Sequence, residues 1–397
     1  MLDAEEKKNN WPGSWNLLWT WSSSQRPPTR LVPSMLVWQR WNHFAGIKAL
    51  TRKDLLCRHL GAARSAYGAA FDIMPQTFSL PGDYVAFVDA FTRAAADSNS
   101  SQPLWIMKPI GSSRGRGIFM VRSLEDVAYG EPHVVQRYLE RPLTVDGHKF
   151  DLRLFVLVTS FAPTEAFIYA DGFARFSTER YTTADIANLR VHLTNYAVQN
   201  ASGTVPAPLR GLHSGAAGGS KCSLTHLWSM LAAGRAGKGA FDAALLWPRI
   251  CDLVRRALFC VRGAIGHQPN AFELLGFDVM LDDEARPWLL EVNSSPSMEC
   301  AHPIDERLKT QLLADVMAIV APPAFDRAAL AAVLRQRSAG GGLRNSTRDS
   351  LNADLNAILG GQLPRCFGDM PQQLGLFHRI APSVEWDALM KRTKKAV

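Results

Sequence analysis

An α+β fold of more than one lobe is what this sequence predicts. Strand-like and helix-like patterns interleave without a regular βαβ repeat, which disfavours a Rossmann-type sheet. A chain of 397 residues with 47% apolar side chains can bury a full core and should divide it between lobes. The run FDVMLDDEARPWLLEVN, residues 277–293, places two apolar segments around a turn-forming cluster, the pattern of an antiparallel hairpin.

The elements follow in chain order. Residues 11–45 are tryptophan-rich, with Trp11, Trp15, Trp19, Trp21, Trp38 and Trp41 around a loop, SSSQRPPTR. LTRKDLLCRHLGAARSAYG has helical spacing, with Thr51 as N-cap and Asp54 at the third helical position. FDIMPQTFSLPGDYVAFVDAFTRAAA gives a short strand, a turn and a second helix. From Pro103 the texture turns to short strands: LWIMK (104–108), GIFMV (117–121), HVVQRYL (133–139), FDLRLFVLVTS (150–160) and EAFIYADGFARF (165–176). Residues 200–221 are rich in Gly, Ala, Ser and Pro and read as a loop. Helices are expected near 222–234, 241–262 and 304–320. Beyond 321 an Ala-rich helix leads into SAGGGLRNSTRDS, read as a linker. No internal repeat of 20–50 residues is present.

Composition removes several classes. No stretch approaches the roughly 20 uninterrupted apolar residues of a membrane span, and the start MLDAEEKKNN lacks the apolar core of a secretory signal. The six cysteines form no C-x-x-C pair and no zinc spacing, so they read as reduced thiols in a cytosolic setting. Forty-four Lys and Arg against 36 Asp and Glu give +8. That balance suits an anionic partner or simply ordinary solubility. Residues 321–397 hold 11 basic and 6 acidic side chains and end in the basic KRTKKAV.

Three segments carry chemistry. In the 277–293 hairpin the midpoint lies between Glu284 and Ala285, which sets Asp278 opposite Glu291, with Asn293 on the same face two residues on. These are hard oxygen donors of the kind Mg²⁺ takes, since it binds through one or two carboxylates plus substrate phosphates. A solvated face carrying two acids is the alternative. The strands are otherwise apolar, so opposed carboxylates would repel unless a cation lay between them. WIMKPIGSSRGRGIFMV ends a strand at Lys108 and resumes one at Ile118, with glycines and Arg114 and Arg116 between. It lacks the Gly-Lys-Ser/Thr of a P-loop and, taken alone, reads first as a plain hairpin turn. In HKFDLRLFVLV, Lys149, Asp151 and Arg153 share one strand face, with Phe150, Leu152 and Leu154 on the other. That charged end either lines a cleft or caps a surface strand.

A phosphate loop, a linker strand, a charged strand and a metal hairpin occur in this order in ATP-grasp ligases, where two lobes clamp ATP. The chain resembles the tubulin tyrosine ligase-like family, and within it the polyglutamylase branch most. The matching stretches are WNLLWTWSS, NHFAGIKALTRKD, WIMKPIGSSRGRGI, VVQRYLERPL, KFDLRLFVLVTS, DGFARFSTERY, HLTNYAVQN, ELLGFDVMLD and WLLEVNSSPSM, with GLFHRIAP near the end. The resemblance implies an ATP-grasp fold of two α/β lobes plus a small N-terminal domain. The implied segments are 11–102 for that domain, 103–143 for the central lobe, 144–320 for the C-terminal lobe and 321–397 for a helical, basic extension.

It also implies site residues. Lys108, Arg114 and Gly115 would hold ATP phosphates, and Gln136, Arg137, Tyr138 and Leu139 would form the adenine hinge. Lys149, Phe150 and Asp151 would complete the nucleotide pocket, with Thr194 and Asn195 reaching the phosphates. Asp278, Glu291 and Asn293 would bind Mg²⁺. Arg175, Tyr196, Lys221 and Lys309 would hold the incoming amino acid, whose carboxylates need cations. Lys108, Lys149 and Glu291 would carry catalysis, through charge neutralisation of phosphoryl transfer and an acyl-phosphate intermediate.

The implied partners are free L-glutamate and the acidic tail of tubulin or microtubules, with no nucleic acid and no membrane. The implied setting is cytoplasmic and cytoskeletal, including cilium, flagellum or basal body. Glycine-adding members tend to carry Cys in the HLTN position, which is intact here. A glycylase, a glutamylase of another acidic protein and a non-catalytic microtubule binder are the competing readings. Three departures from the family pattern stand out. Trp41 and Ala45 replace residues usually aliphatic and proline, the 200–221 loop is short, and no long basic domain follows the core.

Overall fold

The computed structural model describes residues 15–21, 35–96, 103–111, 115–199, 203–214, 216–237, 239, 241–339, 347–362 and 365–394. Trp11, the SSSQRPPTR run, Arg114, the glycines of SAGGGLRNSTRDS and the last three residues lie outside them.

Among the described residues the fold is mixed α/β with three sheets. β1 (Leu17–Leu18) and β2 (Arg40–Trp41) pair in parallel. α1 (Lys48–Thr51) and α2 (Lys53–Tyr67) follow, then β3 (Thr77–Leu80) and α3 (Tyr84–Ala96). β4 (Trp105–Pro109), β5 (Phe119–Val121) and β6 (His133–Arg137) join β3 in a four-stranded antiparallel sheet of order β3-β6-β4-β5. β7 (Thr144–Val145), β8 (His148–Phe161) and β9 (Thr164–Phe176) begin the large sheet. After two single turns, α4 (Leu189–His192) and α5 (Tyr196–Gln199), come β10 (Ala217–Gly218), β11 (Lys221–Ser223), α6 (Leu224–Ala232) and α7 (Ala243–Val261). β12 (Glu273–Leu281), β13 (Pro287–Asn293), α8 (Pro303–Val320), α9 (Arg327–Ala339), α10 (Arg348–Leu359), β14 (Phe377–Ala381) and α11 (Val384–Lys394) complete the chain.

The large sheet runs β10-β11-β9-β8-β12-β13, with β14 on β9 and β7 on β8. Its two faces follow from strand alternation. On β8, Phe150, Leu152, Leu154, Val156 and Val158 enter one core with α7 residues such as Ile250, Val254 and Leu258. Phe155 and Leu157 face the other way, against Ile304, Leu308, Leu312 and Val316 of α8. The small sheet buries Trp105, Met107 and Val135 against Phe87 and Phe91 of α3. Its opposite face, with Ile106 and neighbouring Tyr138, meets Leu193.

Several expectations are corrected. Thr51 is not an N-cap, because its hydroxyl turns back to donate to Ile47 O of the preceding turn at 3.3 Å. Arg52 is the extended cap residue of α2, so Asp54 stands at the second helical position, where it accepts Arg52 in a two-pronged bond. The 277–293 hairpin is not a free two-stranded sheet, since β12 lies between β8 and β13. Its turn register, Leu281 with Pro287 and Val279 with Leu289, centres on Glu284. A bulge then absorbs Leu290, and Asp278 faces Glu291 while Gly276 faces Asn293. The 200–221 stretch is not all loop, for its end forms β10 and opens β11, and Lys221 is the register partner of Arg175. The supposed linker contributes Ser338 and Ala339 to the end of α9, while Thr347 caps α10 through its side chain.

Candidate active site

A cleft of about 870 Å³, open to solvent at its mouth, lies between the two larger sheets. Its lining mixes cations, acids and apolar side chains, as suits a charged ligand with an apolar part. The small sheet contributes Ile106, Lys108, Gln136 and, just beyond β6, Tyr138 and Leu139. The large sheet contributes Lys149, Asp151, Arg175, Asp278, Glu291 and Asn293. Thr194 and Asn195, between α4 and α5, line it as well, as do Gly115 and Arg116 from the loop between β4 and β5. The alternation that sends Leu152 and Leu154 into the core puts Lys149, Asp151 and Arg153 on the opposite face. Lys149 and Asp151 thus line a cleft, the first of the two readings the sequence left open.

Both lysines are held under strain of solvation. Lys149 is 2% exposed and donates to Tyr138 Oη at 2.7 Å and His192 O at 2.9 Å. Burial pushes its pKa down to about 7, with Asp151 opposing and Lys108 adding to the fall. Lys108 donates to Gln136 Oε1 at 2.7 Å, and Gln136 in turn donates to Thr77 Oγ1 at 2.8 Å. Burial brings Lys108 to about 8, against the pull of Glu291. A buried and a half-buried ammonium with neutral partners are poised to pair with an anion such as a polyphosphate.

The acids of the cleft are already paired. Asp278 accepts Arg153 Nε at 2.6 Å and lies 2.9 Å from Arg175 Nη2. Burial would raise its pKa, but the Arg153 and Arg175 guanidinia hold it well below the usual carboxylate range. Arg175 also grips Asp151 through two bonds of 2.7 and 2.5 Å. Glu291 Oε2 lies 3.2 Å from Lys53 Nζ, and Asn293 Nδ2 donates to Glu291 Oε1 at 3.3 Å. Among the described residues no three His, Cys, Asp or Glu side chains gather as a metal cluster. The charge that keeps these opposed carboxylates from repelling comes from Arg153, Arg175 and Lys53. The donor chemistry still fits a hard cation: Asp278 is ionised, and two carboxylates and an amide meet on the cleft wall.

Other assignments separate. Phe150 does not line the cleft. Its ring packs on Phe176, centroids 5.5 Å apart, because its strand parity is that of the core. Tyr196, Lys221 and Lys309 also lie outside the cleft lining, in a neighbouring cluster reached from Arg175 through its register partner Lys221. Gly115 is at φ +77°, and a Cβ there would stand 3.0 Å from Val198 Cγ2, so the loop needs glycine at that point.

Sequence reasoning missed Lys53, His192 and the apolar lining of Ile106, Met280 and Leu290. Ile106 and Met280 were within reach, being two residues from Lys108 and Asp278 on the same strand faces. Lys53 carried no signal, since its ion-pair partner Glu291 on β13 is more than 200 residues away.

Residues 30–329 match the family described as the Tubulin-tyrosine ligase family. Among curated proteins, the chain is 34% identical over 307 residues to the Homo sapiens protein named "Probable tubulin polyglutamylase TTLL2", covering 77% of this chain and 50% of that one. It is 36% identical over 318 residues to the Mus musculus protein "Tubulin polyglutamylase TTLL5", covering 77% and 23%. It is 32% identical over 382 residues to the Danio rerio protein "Tubulin polyglutamylase ttll6", covering 93% and 46%. The chain spans half or less of the length of each of these relatives.

Proposed function

The chain belongs to the tubulin-tyrosine ligase family, and we propose that it is an ATP- and Mg²⁺-dependent ligase adding glutamate to glutamate side chains of the acidic tubulin tail. The observation that carries this reading is the cleft itself, in which Lys108 on one wall faces Lys149, Asp278, Glu291 and Asn293 on the other. The names of the curated relatives support the glutamate assignment. In this reading the two sheets are the lobes of an ATP clamp, and the cytoskeleton is where the protein works.

An acceptor carboxylate attacks the γ-phosphorus of ATP, giving an acyl phosphate and ADP. The amine of free glutamate then attacks the acyl carbon, and phosphate leaves as the amide forms. Lys108 and Lys149 neutralise phosphate charge from opposite walls. Gln136 holds Lys108, while Tyr138 and His192 O hold Lys149, so neither ammonium must be ordered when ATP enters. Asp278, Glu291 and Asn293 would hold the magnesium ion, which when bound supplies further charge neutralisation at the phosphates. Arg153 and Arg175 fix Asp278 in its ionised, oriented state. No nucleophilic Ser, Cys or His is required.

Incubation with microtubules, ATP and labelled glutamate or glycine tests the proposal. Glutamate should enter tubulin, and Glu291→Gln should lower the rate at least ~100-fold. Incorporation of glycine without glutamate would overturn the assignment. Microtubule binding with no ligation by wild type, and no effect of Glu291→Gln, would favour a non-catalytic role.

A further inference from the structure

Lys221 of β11 and Lys309 of α8 converge on one atom. Lys221 Nζ donates to Asp305 Oδ1 at 2.7 Å, and Lys309 Nζ lies 3.0 Å from the same oxygen. Asp305 is fully buried. Its second oxygen accepts from His302 N at 3.1 Å, which ties it into the first turn of α8. Both ammoniums sit over the Phe173 ring, at 5.2 and 5.7 Å, and Lys221 is also 4.8 Å from the Tyr196 ring. Lys309 further donates to Glu299 O at 2.5 Å.

We propose that Asp305 is a positioning residue that holds Lys221 and Lys309 together as a paired-ammonium receptor for a dicarboxylic amino acid. The inference rests on the function proposed above and on the family resemblance, which implies that these lysines hold the incoming amino acid. Two lysines and one carboxylate leave a net charge of one positive, because Arg175 is already committed to Asp151 and Asp278. Zwitterionic glutamate brings one net negative charge, and glycine brings none. Complementarity therefore favours the diacid.

Without Asp305 the two ammoniums would repel, and their long side chains would spread over many rotamers. Burial lowers the Lys221 pKa and Lys309 lowers it further, while Asp305 opposes both. Arg175, the Tyr196 hydroxyl, His302, Cys300 and Glu299 also border the pair. Among the described residues Asp305 alone forms an ion pair with both lysines.

The test uses the full chain with ATP, microtubules and varied glutamate or glycine. Asp305→Asn and Asp305→Ser both keep an oxygen for the helix cap while removing the charge. Each should raise the glutamate KM about tenfold, with kcat and the ATP KM within about twofold of wild type. The alkaline limb of the kcat/KM profile for glutamate should move to lower pH, which a merely structural defect would not produce. An unchanged glutamate KM overturns the proposal, and so does a lowered one, which would make Asp305 a competitor of substrate. Should both variants fail to fold, Lys221→Met, Lys309→Met and their double variant decide. A paired receptor predicts a double cost below the sum of the singles, and full additivity refutes it. Wild type that ligates glycine alone, or nothing, strikes the parent function and this inference with it. Wild type that ligates glutamate beside unaffected variants strikes only this inference.

Discussion

Lys149 concentrates the chemistry of the cleft in one side chain. It is buried, bonded only to a phenol and a carbonyl, and shifted to about 7, while Lys108 across the cleft lies near 8. Both values lie below those of an unfolded lysine, so between pH 7 and 10.5 the unfolded chain binds more protons. The stability of the ligand-free protein should therefore rise with pH across that window, as the cost of burying two charges is relieved. A polyphosphate reverses the preference. ATP binding near pH 8 should take up protons, read as a dependence of the calorimetric enthalpy on buffer ionisation enthalpy. Lys149→Met should lose most of that uptake; binding with no proton exchange in the wild type would contradict the assignment. Period-two alternation made Lys149 and Asp151 legible in the sequence, because the strand turns wholly apolar beyond them. It also contained the answer for Phe150, whose parity is that of Leu152 and Leu154. The Asp278 pairing was right for an incomplete reason. A turn centred on Glu284 plus one bulged residue gives the partner that a turn centred between Glu284 and Ala285 gives without a bulge. A bulge leaves no mark in a short apolar run.

At the scale of elements, the C-terminal segment is pinned to the large sheet by a buried ion pair. Glu165, at the start of β9, accepts Arg365 at 3.0 and 2.5 Å, Thr159 Oγ1 at 2.6 Å and Gly368 N at 3.3 Å. Its side chain is 2% exposed, so removal of the guanidinium strands a desolvated carboxylate. Breaking one side of such a pair typically costs about 3–5 kcal/mol, more than the intact pair contributes. The remaining donors to Glu165 place Arg365→Ala toward the lower end of that range. Denaturant unfolding should show this loss, and adding Glu165→Gln should restore part of it. Equal midpoints for wild type and Arg365→Ala would show the pair to be a surface ornament. None of this pairing was legible, because residues 165 and 365 are two hundred positions apart and each reads locally as an ordinary charge. Helix α10 was hidden for a related reason. Its capping Thr347 lies inside a Gly- and Ser-rich run whose composition resembles a linker.

At the scale of the whole molecule, the order of segments could be read from the sequence, but not which strands are neighbours. β3 joins the small sheet from well before it, and β14 joins the large sheet from near the end of the chain. Antiparallel partners so far apart carry no periodic signature, and only burial of both faces selects them. The family match ends at residue 329, yet the fold does not. β14 pairs with Ala166–Tyr169 of β9 beside the stretch that β11 occupies. Phe377 meets Tyr169 edge to face at 4.8 Å, and Trp386 of α11 meets Phe259 of α7 at 6.4 Å. Ile380, Trp386 and Leu389 belong to the same core as Leu152 and Leu154, whose strand carries Lys149 and Asp151. A chain cut after residue 329 would leave β9 with an open edge and the α7 face uncovered, exposing apolar surface to solvent and to other chains. The truncated protein should bind a hydrophobic dye, lose its cooperative thermal transition and lose ATP affinity, since β8 and β9 hold Lys149 and Arg175 in place. Trp386→Ala, a local version of the same injury, should cost about 3–5 kcal/mol while leaving the ATP KM near the wild-type value below the melting temperature. A truncated chain that melts cooperatively within a few degrees of the full one would mean that the segment after 329 lies on a finished fold; the pairing of β14 with β9 argues that it finishes the fold itself.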